Sequence, residues 1–234
     1  MEPEIRYNRF KDAEWFGENK SILIGGVGGT GSWLSVLLAR TGDHEFYIYD
    51  DDEFETHNAA GQFVQNDQIG LSKVQACENN IKSFAGENVE INTFRSRYTK
   101  DSPSNPIAFA CFDNMEGRRV MYERWKEYLS EEEDKSQFLF VDLRLLAENL
   151  TIFFVQGDKP EQFEQYEANL FLDSEVADAE CTLKQTSHSA ALNASLTTAY
   201  FTNWVANKKQ GVEYREVPFR TDFSIPANLF ENEY

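Results

Sequence analysis

The run Gly25-Gly26-Val27-Gly28-Gly29-Thr30-Gly31 carries the densest chemical signal in the chain. Gly26, Gly28 and Gly31 satisfy the G-x-G-x-x-G spacing, with Gly29 inside it. Such a run lets the backbone turn tightly, approach a phosphate closely and aim the free N–H groups of a following helix at it. Asp50 follows roughly 20 residues later, where a carboxylate can accept a hydrogen bond from a ribose hydroxyl. A nucleotide site follows from this arrangement, with NAD and ATP both open. Further along come Asp52, Asn58, Gln62, Lys73, the triplet Phe112-Asp113-Asn114 and Arg118. Cys77, Cys111 and Cys181 stand far apart with no CxxC pair. They form neither a disulfide framework nor a cysteine-pair zinc site, and a reducing cytoplasm is the expected compartment. Cys181 lies beside Lys184, near His188 and a helix start, a setting that favours thiolate and nucleophilic use. Cys77 and Cys111 fall in apolar patterns and read as core packing.

These residues need a frame. Ser21–Gly25 is a short apolar run leading into the glycines, and Thr30–Arg40 reads as a helix. Phe46–Tyr49 reads as a second strand ending at the acidic triplet, and Leu71–Phe84 places Val74, Cys77, Ile81 and Phe84 on one helical face. Val89–Phe94 and Ile107–Phe112 read as strands, and Met115–Ser130 as a helix. Strands spaced by helices predict an α/β, Rossmann-like, mostly parallel sheet flanked by helices. Phe138–Val141 and Leu150–Gln156 are close enough to pair, which predicts antiparallel strands in the C-terminal half. Residues 157–182 are rich in acid and read as an exposed crossover loop. Ser187–Asn207 reads as a helix with Leu192, Leu196, Tyr200 and Trp204 in line, and the tail from Gln210 as irregular.

Composition sets the outer bounds. The 234 residues, 41% hydrophobic, suit one domain spanning 1–234. Forty acidic against 22 basic residues leave a net charge of −18, which repels phosphate backbones and argues against nucleic-acid binding. No apolar run reaches membrane-spanning length, and the opening MEPEIRYNRF lacks a signal-peptide core, so no membrane partner is expected.

In order and spacing, the first half strongly resembles the ThiF/MoeB/ubiquitin-activating-enzyme superfamily. The family's GxGGxG, DxDxVxxxNxxRQ, lysine and DN-plus-arginine fall on Gly26–Gly31, Asp50/Asp52/Asn58/Gln62, Lys73, Asp113/Asn114 and Arg118. The opening Arg6-Tyr7-Asn8-Arg9-Phe10 resembles the family's RYxRQ segment. The resemblance implies ATP-dependent adenylation of the C-terminal carboxylate of a small ubiquitin-like or sulfur-carrier protein. It implies ATP and Mg²⁺, with Asp113 holding the metal, Lys73 and Arg9 offsetting phosphate charge, and Asn58 and Gln62 beside the nucleotide. It also implies a homodimer in which Arg9 reaches the partner's ATP, and transfer to Cys181 in some members. No zinc is expected, because the family's CxxC pairs are missing. One departure bears on catalysis: Gly61 stands where the family has a phosphate-binding arginine, with Arg118 or Arg119 the nearest substitutes by sequence. That departure supports an alternative, a weakened pseudoenzyme or binding subunit. An NAD-dependent oxidoreductase would share the glycine loop but leaves Lys73, Asp113 and the N-terminal segment unexplained.

Overall fold

The computed structural model describes residues 7–173 and 186–234. Eight strands form one sheet in the order β3-β2-β1-β4-β5-β6-β7-β8. They are β1 (Ser21–Gly25), β2 (Glu45–Tyr49), β3 (Glu90–Phe94), β4 (Ile107–Ala110), β5 (Leu139–Leu146), β6 (Asn149–Gln156), β7 (Arg220–Ser224) and β8 (Leu229–Glu233). β1 to β5 pair in parallel, and β5 to β8 in antiparallel. The expected mostly parallel, helix-flanked sheet with antiparallel C-terminal strands is therefore what the chain builds. β1 and β4 lie at the centre and are buried on both faces, which is why they read as unbroken apolar runs.

Helices α1 (Gly29–Ala39), α2 (Lys73–Ala85), α3 (Met115–Glu131), α4 (Glu161–Glu167) and α5 (Ser187–Gln210) complete the described frame. One face of the sheet packs Ile24, Ile48, Phe109 and Phe154 against Leu34 and Leu38 of α1, Ile81 of α2, and Phe201 and Trp204 of α5. The other packs Leu23, Phe140 and Phe153 against Met121, Tyr122 and Trp125 of α3 and Tyr166 of α4. Full burial of such side chains contributes about 1.5–3 kcal/mol each before entropy is counted.

Three expectations need correction. Within the acidic stretch, residues 161–167 are helix rather than loop, and Gln162 and Tyr166 are buried. Two buried side chains four residues apart seat one helical turn, a signal hidden among exposed acids. Positions 174–182 of that stretch, including Cys181, lie outside the described residues. On α5 the buried line is Asn193, Thr197, Tyr200 and Trp204, while Leu192 is 38% exposed. The small Ser189, Ala190 and Ala194 lie on the same buried side, and α1 buries Gly29, Gly31, Ser32 and Ser35. Small residues on both helices permit close approach without a leucine stripe. Finally, the tail is a hairpin, with β8 exposed along its length as the sheet's edge and Phe223 meeting Phe230 across β7 and β8.

Candidate functional site

Chain order reverses between β1 and β4, and in open α/β sheets ligands bind beyond the strand ends at such a point. The glycine loop leaves β1 there. Gly26 has φ +84°, and a Cβ on it would stand 2.9 Å from the Cys111 carbonyl oxygen. A Cβ on Gly31 would fall 2.0 Å from the Gly26 carbonyl oxygen, so only glycine lets the loop fold onto the start of α1. Gly28 precedes α1 without a side-chain cap, which leaves the helix's positive end to an incoming anion.

Asp50 closes β2 beside this loop. Its Oδ2 accepts the Val27 N–H at 2.8 Å and its Oδ1 the Asp52 N–H at 3.0 Å. Burial pushes its carboxyl up, opposed by the Lys73 ammonium and by those two amides. Lys73, at the start of α2 and 8% exposed, donates from Nζ to Asp52 Oδ2 at 2.7 Å. Each carboxylate retains lone pairs for hydroxyls. The segment 56–63 lies against α1: Trp33 Nε1 donates to the Gly61 carbonyl at 3.3 Å and the Phe63 N–H to Ser32 Oγ at 2.8 Å. Gln62 thereby reaches the glycine loop, where its Nε2 would sit 3.9 Å from a Cβ on Gly28. Among the described residues its buried Oε1 meets no hydrogen-bond partner, an acceptor waiting for a donor beside the loop. Asn58 uses Oδ1 to accept the Glu55 N–H at 2.8 Å, so its role is first to shape this turn.

Asp113 follows β4 on the opposite side of the crevice. The Cys111 N–H donates to the Gly25 carbonyl at 2.8 Å, tying the two loops together. Asp113 is exposed, and its Oδ1 accepts from Asn114 Nδ2 at 3.1 Å. Asn114 also caps α3 by accepting the Gly117 N–H at 2.8 Å. An exposed carboxylate beside a glycine loop offers the hard oxygen donor that Mg²⁺ takes, and the uncapped α1 and the unpartnered Gln62 oxygen suit a nucleotide.

Other sites fall elsewhere. Arg118 is no substitute for the arginine absent at position 61: it is 7% exposed and bound to Asp142 and to the carbonyls of Ala110, Phe112 and Leu143. Arg119 donates to the Phe171 carbonyl at 3.3 Å. Arg9 is exposed, and two residues away Tyr7 donates to Asp43 at 2.9 Å, ahead of β2. That contact puts the N-terminal segment at the end of the sheet opposite the glycine loop, so one chain does not bring Arg9 to its own crevice. Burial pushes the Cys77 and Cys111 thiols up to about 12, in keeping with packing rather than nucleophilic roles.

Three features escaped the sequence reading. Asp142, 0% exposed, accepts from Arg118, from Arg144 Nε at 2.7 Å and from the Tyr166 hydroxyl at 3.0 Å. Arg97 and Arg95 reach the acidic run after β2, pairing with Asp51 at 2.8 Å and Glu53 at 2.5 Å. The Asp173 carboxylate accepts the Met115 N–H at 2.6 Å and the Glu116 N–H at 3.1 Å, capping α3 from 58 residues away. None is marked by local spacing; only an acid–x–basic triplet at Asp142–Arg144 stands out within an apolar strand.

Comparison with known proteins agrees with this frame. Ubiquitin-like modifier-activating enzyme 5 of Drosophila persimilis is 32% identical over 138 residues, covering 52% of this chain and 35% of that protein. The chain thus spans 35% and 34% of the first two curated relatives it matches. The crystal structure of E. coli MccB with succinimide shares the fold at a TM-score of 0.70 and 14% identity, over 97% of this chain and 71% of that one. The structure of E. coli MccB with ATP does so at 0.65 and 13%, over 99% and 65%. Residues 17–131, the segment that holds the glycine loop, Asp50, Lys73 and Asp113, match the model of the ThiF family.

Proposed function

We propose that this chain adenylates the C-terminal carboxylate of a small ubiquitin-like or sulfur-carrier protein or peptide at the expense of ATP. The observation that carries the reading is the convergence of the uncapped, glycine-led α1 with Asp50, Gln62 and Asp113 at the switch point of the sheet. Relatives named as ubiquitin-like modifier-activating enzymes, and a neighbour in fold crystallised with ATP, support it.

In this reading the α1 N-terminus and glycine loop receive the phosphates, and Asp50 accepts from the ribose. Mg²⁺ would offset charge across the phosphates, with Asp113 as its protein ligand. Lys73, held by Asp52, brings a cation to the same end of the sheet. An oxygen of the incoming carboxylate attacks the α-phosphorus, the bond to the bridging oxygen breaks, and pyrophosphate leaves. The protein's part is positioning and charge stabilisation. Arg9 acts across a homodimer, completing the partner's site, and Cys181 is the acceptor in any later acyl transfer. We place the protein in the cytoplasm; among the described residues no helix is long and apolar enough to cross a membrane.

A second reading, a weakened pseudoenzyme that works by pairing with another protein, has one specific support. Gly61 replaces the family's arginine, and Arg118 is committed to Asp142. Equilibrium binding of Mg-ATP and of NAD to the full chain, with Asp113→Ala as control, separates the readings. The enzyme reading expects Mg-ATP binding that weakens in the variant, followed by pyrophosphate exchange when the carrier is supplied. NAD binding alone refutes it. Mixed Arg9→Ala and Asp113→Ala subunits should regain part of the exchange; without complementation, the shared site is wrong.

A further inference from the structure

Asp113 is exposed, and among the described residues its side chain has one hydrogen-bond partner, its own neighbour Asn114, so something else must fix the loop it rides on. Beneath it lies Arg118, in the first turns of α3. Nη2 donates to the carbonyl of Phe112, the residue immediately before Asp113. Nη1 faces the Asp142 carboxylate, the Leu143 carbonyl at 2.9 Å and the Ala110 carbonyl at 3.4 Å. One planar guanidinium thus ties the end of β4, the neighbouring β5 and the first carbonyl of the Asp113 loop. Asp142 aims it and is itself fixed from the other side by Arg144 and Tyr166.

Stability is a poor account of this arrangement. Desolvating two guanidiniums and a carboxylate offsets most of what their attraction returns, and apolar replacements of similar volume often do as well. A rigid fork reaching several acceptors at defined angles does something an apolar cluster cannot: it sets the direction of a backbone carbonyl, and with it the next side chain. On the far side of the loop, Asp173 and Asn114 hold the amides of Met115, Glu116 and Gly117. Asp113 therefore stands between a clasp on the preceding carbonyl and a clasp on the following amides.

We propose that Arg118, aimed by Asp142, is a positioning residue that presents the Asp113 carboxylate to the metal-bound nucleotide. The proposal rests on the adenylation reading and assigns the arginine after the Asp-Asn pair a mechanical role rather than a phosphate contact.

The test uses the full chain and two measurements. The first is ATP affinity by calorimetry with Mg²⁺ and with EDTA, for wild type, Asp113→Asn, Arg118→Lys and the double variant. Lysine keeps a charge for Asp142 but cannot reach the three carbonyls together. Arg118→Lys should lose roughly tenfold of the Mg²⁺-dependent gain in affinity, the size of one charge-assisted contact, while Mg²⁺-free affinity stays within about twofold. The double variant should be no worse than Asp113→Asn, because both changes remove one interaction. A folded Arg118→Lys that keeps the gain, or whose loss adds to that of Asp113→Asn, overturns the proposal. The second measurement is hydrogen exchange of the amides at 113–117 without nucleotide, which should quicken in Arg118→Lys; unchanged exchange also overturns it. If wild type shows no Mg²⁺-dependent ATP affinity, the adenylation reading fails while exchange still decides whether Arg118 holds the loop. Should Arg118→Lys not fold, Asp142→Asn, which keeps the volume and removes the aiming charge, is read by the same criteria.

Discussion

His44 yields the most quantitative expectation. It is 4% exposed, at the N-terminal end of β2, with edge-on contacts to Phe46 and Phe201. The Lys20 N–H donates to its Nδ1 at 3.2 Å, so Nδ1 carries no proton. Nε2 must then carry it and donate to Thr41 Oγ1 at 2.9 Å, while the Thr41 hydroxyl donates to the Leu38 carbonyl at 2.7 Å. A second proton would set a ring N–H against a backbone N–H. Burial, and secondarily the Lys20 ammonium, push the imidazole pKa down from 6.5 to about 4, with Asp43 opposing. The unfolded chain therefore binds this proton first as pH falls, and the stability in question is full above about 6.5 and lost on descent towards 4. A drop of about 2.5 units amounts to about 3 kcal/mol, with about 2 kcal/mol of it already gone at pH 5. Urea unfolding at pH 7.5, 6 and 5 should show this loss in wild type and a flatter profile in His44→Gln, whose amide cannot titrate. Parallel profiles for the two proteins, or an imidazole titrating near 6.5 by NMR, would refute the tautomer argument.

Two further expectations follow from buried groups. Asp142→Ala strands Arg118 and Arg144 without their shared carboxylate and should cost about 3–5 kcal/mol in urea unfolding, against under about 0.5 kcal/mol for Glu78→Ala in the helical Lys82 pair; a comparable cost for both would contradict the buried-charge account. In a Cys181→Ser chain at pH 8, only about one in ten thousand of the buried Cys77 thiols is ionised at a pKa of about 12, so thiol reagent should leave Cys77 unlabelled until denaturant is added, whereas Cys111 beyond β4 is only half-buried; rapid labelling of Cys77 in the native variant would mean α2 opens readily.

The parts of the fold legible in advance were those whose signals are local. Ser21–Gly25 and Ile107–Ala110 are apolar over four or five residues because both faces are covered, and α2 shows its buried face at three- and four-residue steps. The glycine loop was legible for a steric reason, since contacts of 2.9 and 2.0 Å at Gly26 and Gly31 admit no other residue. The missed elements lack such marks. The helix 161–167 depends on Gln162 and Tyr166 reaching a sheet face made by distant strands, and Gln162 is bound by the backbone of Gln156 at 2.8 Å. β8 has little to bury, and pairing with β7 is what makes it a strand.

At the site, the amino-acid order alone determined which residues are gathered at the strand ends: Gly26 to Gly31, Asp50, Lys73 and Asp113 each follow or precede an element whose period is plain. Period and turn chemistry act over a few residues, so sequence carries them. Tertiary structure decided how the charges are partnered. Arg118, equally near Asp113 in sequence whichever way it points, is drawn beneath the loop by Asp142, 24 residues away on a neighbouring strand. Arg9, close in number to the glycine loop, is anchored through Tyr7 and Asp43 at the opposite end of the sheet. A long-range charge pair depends on distances that only the packed sheet establishes, and no local pattern encodes them.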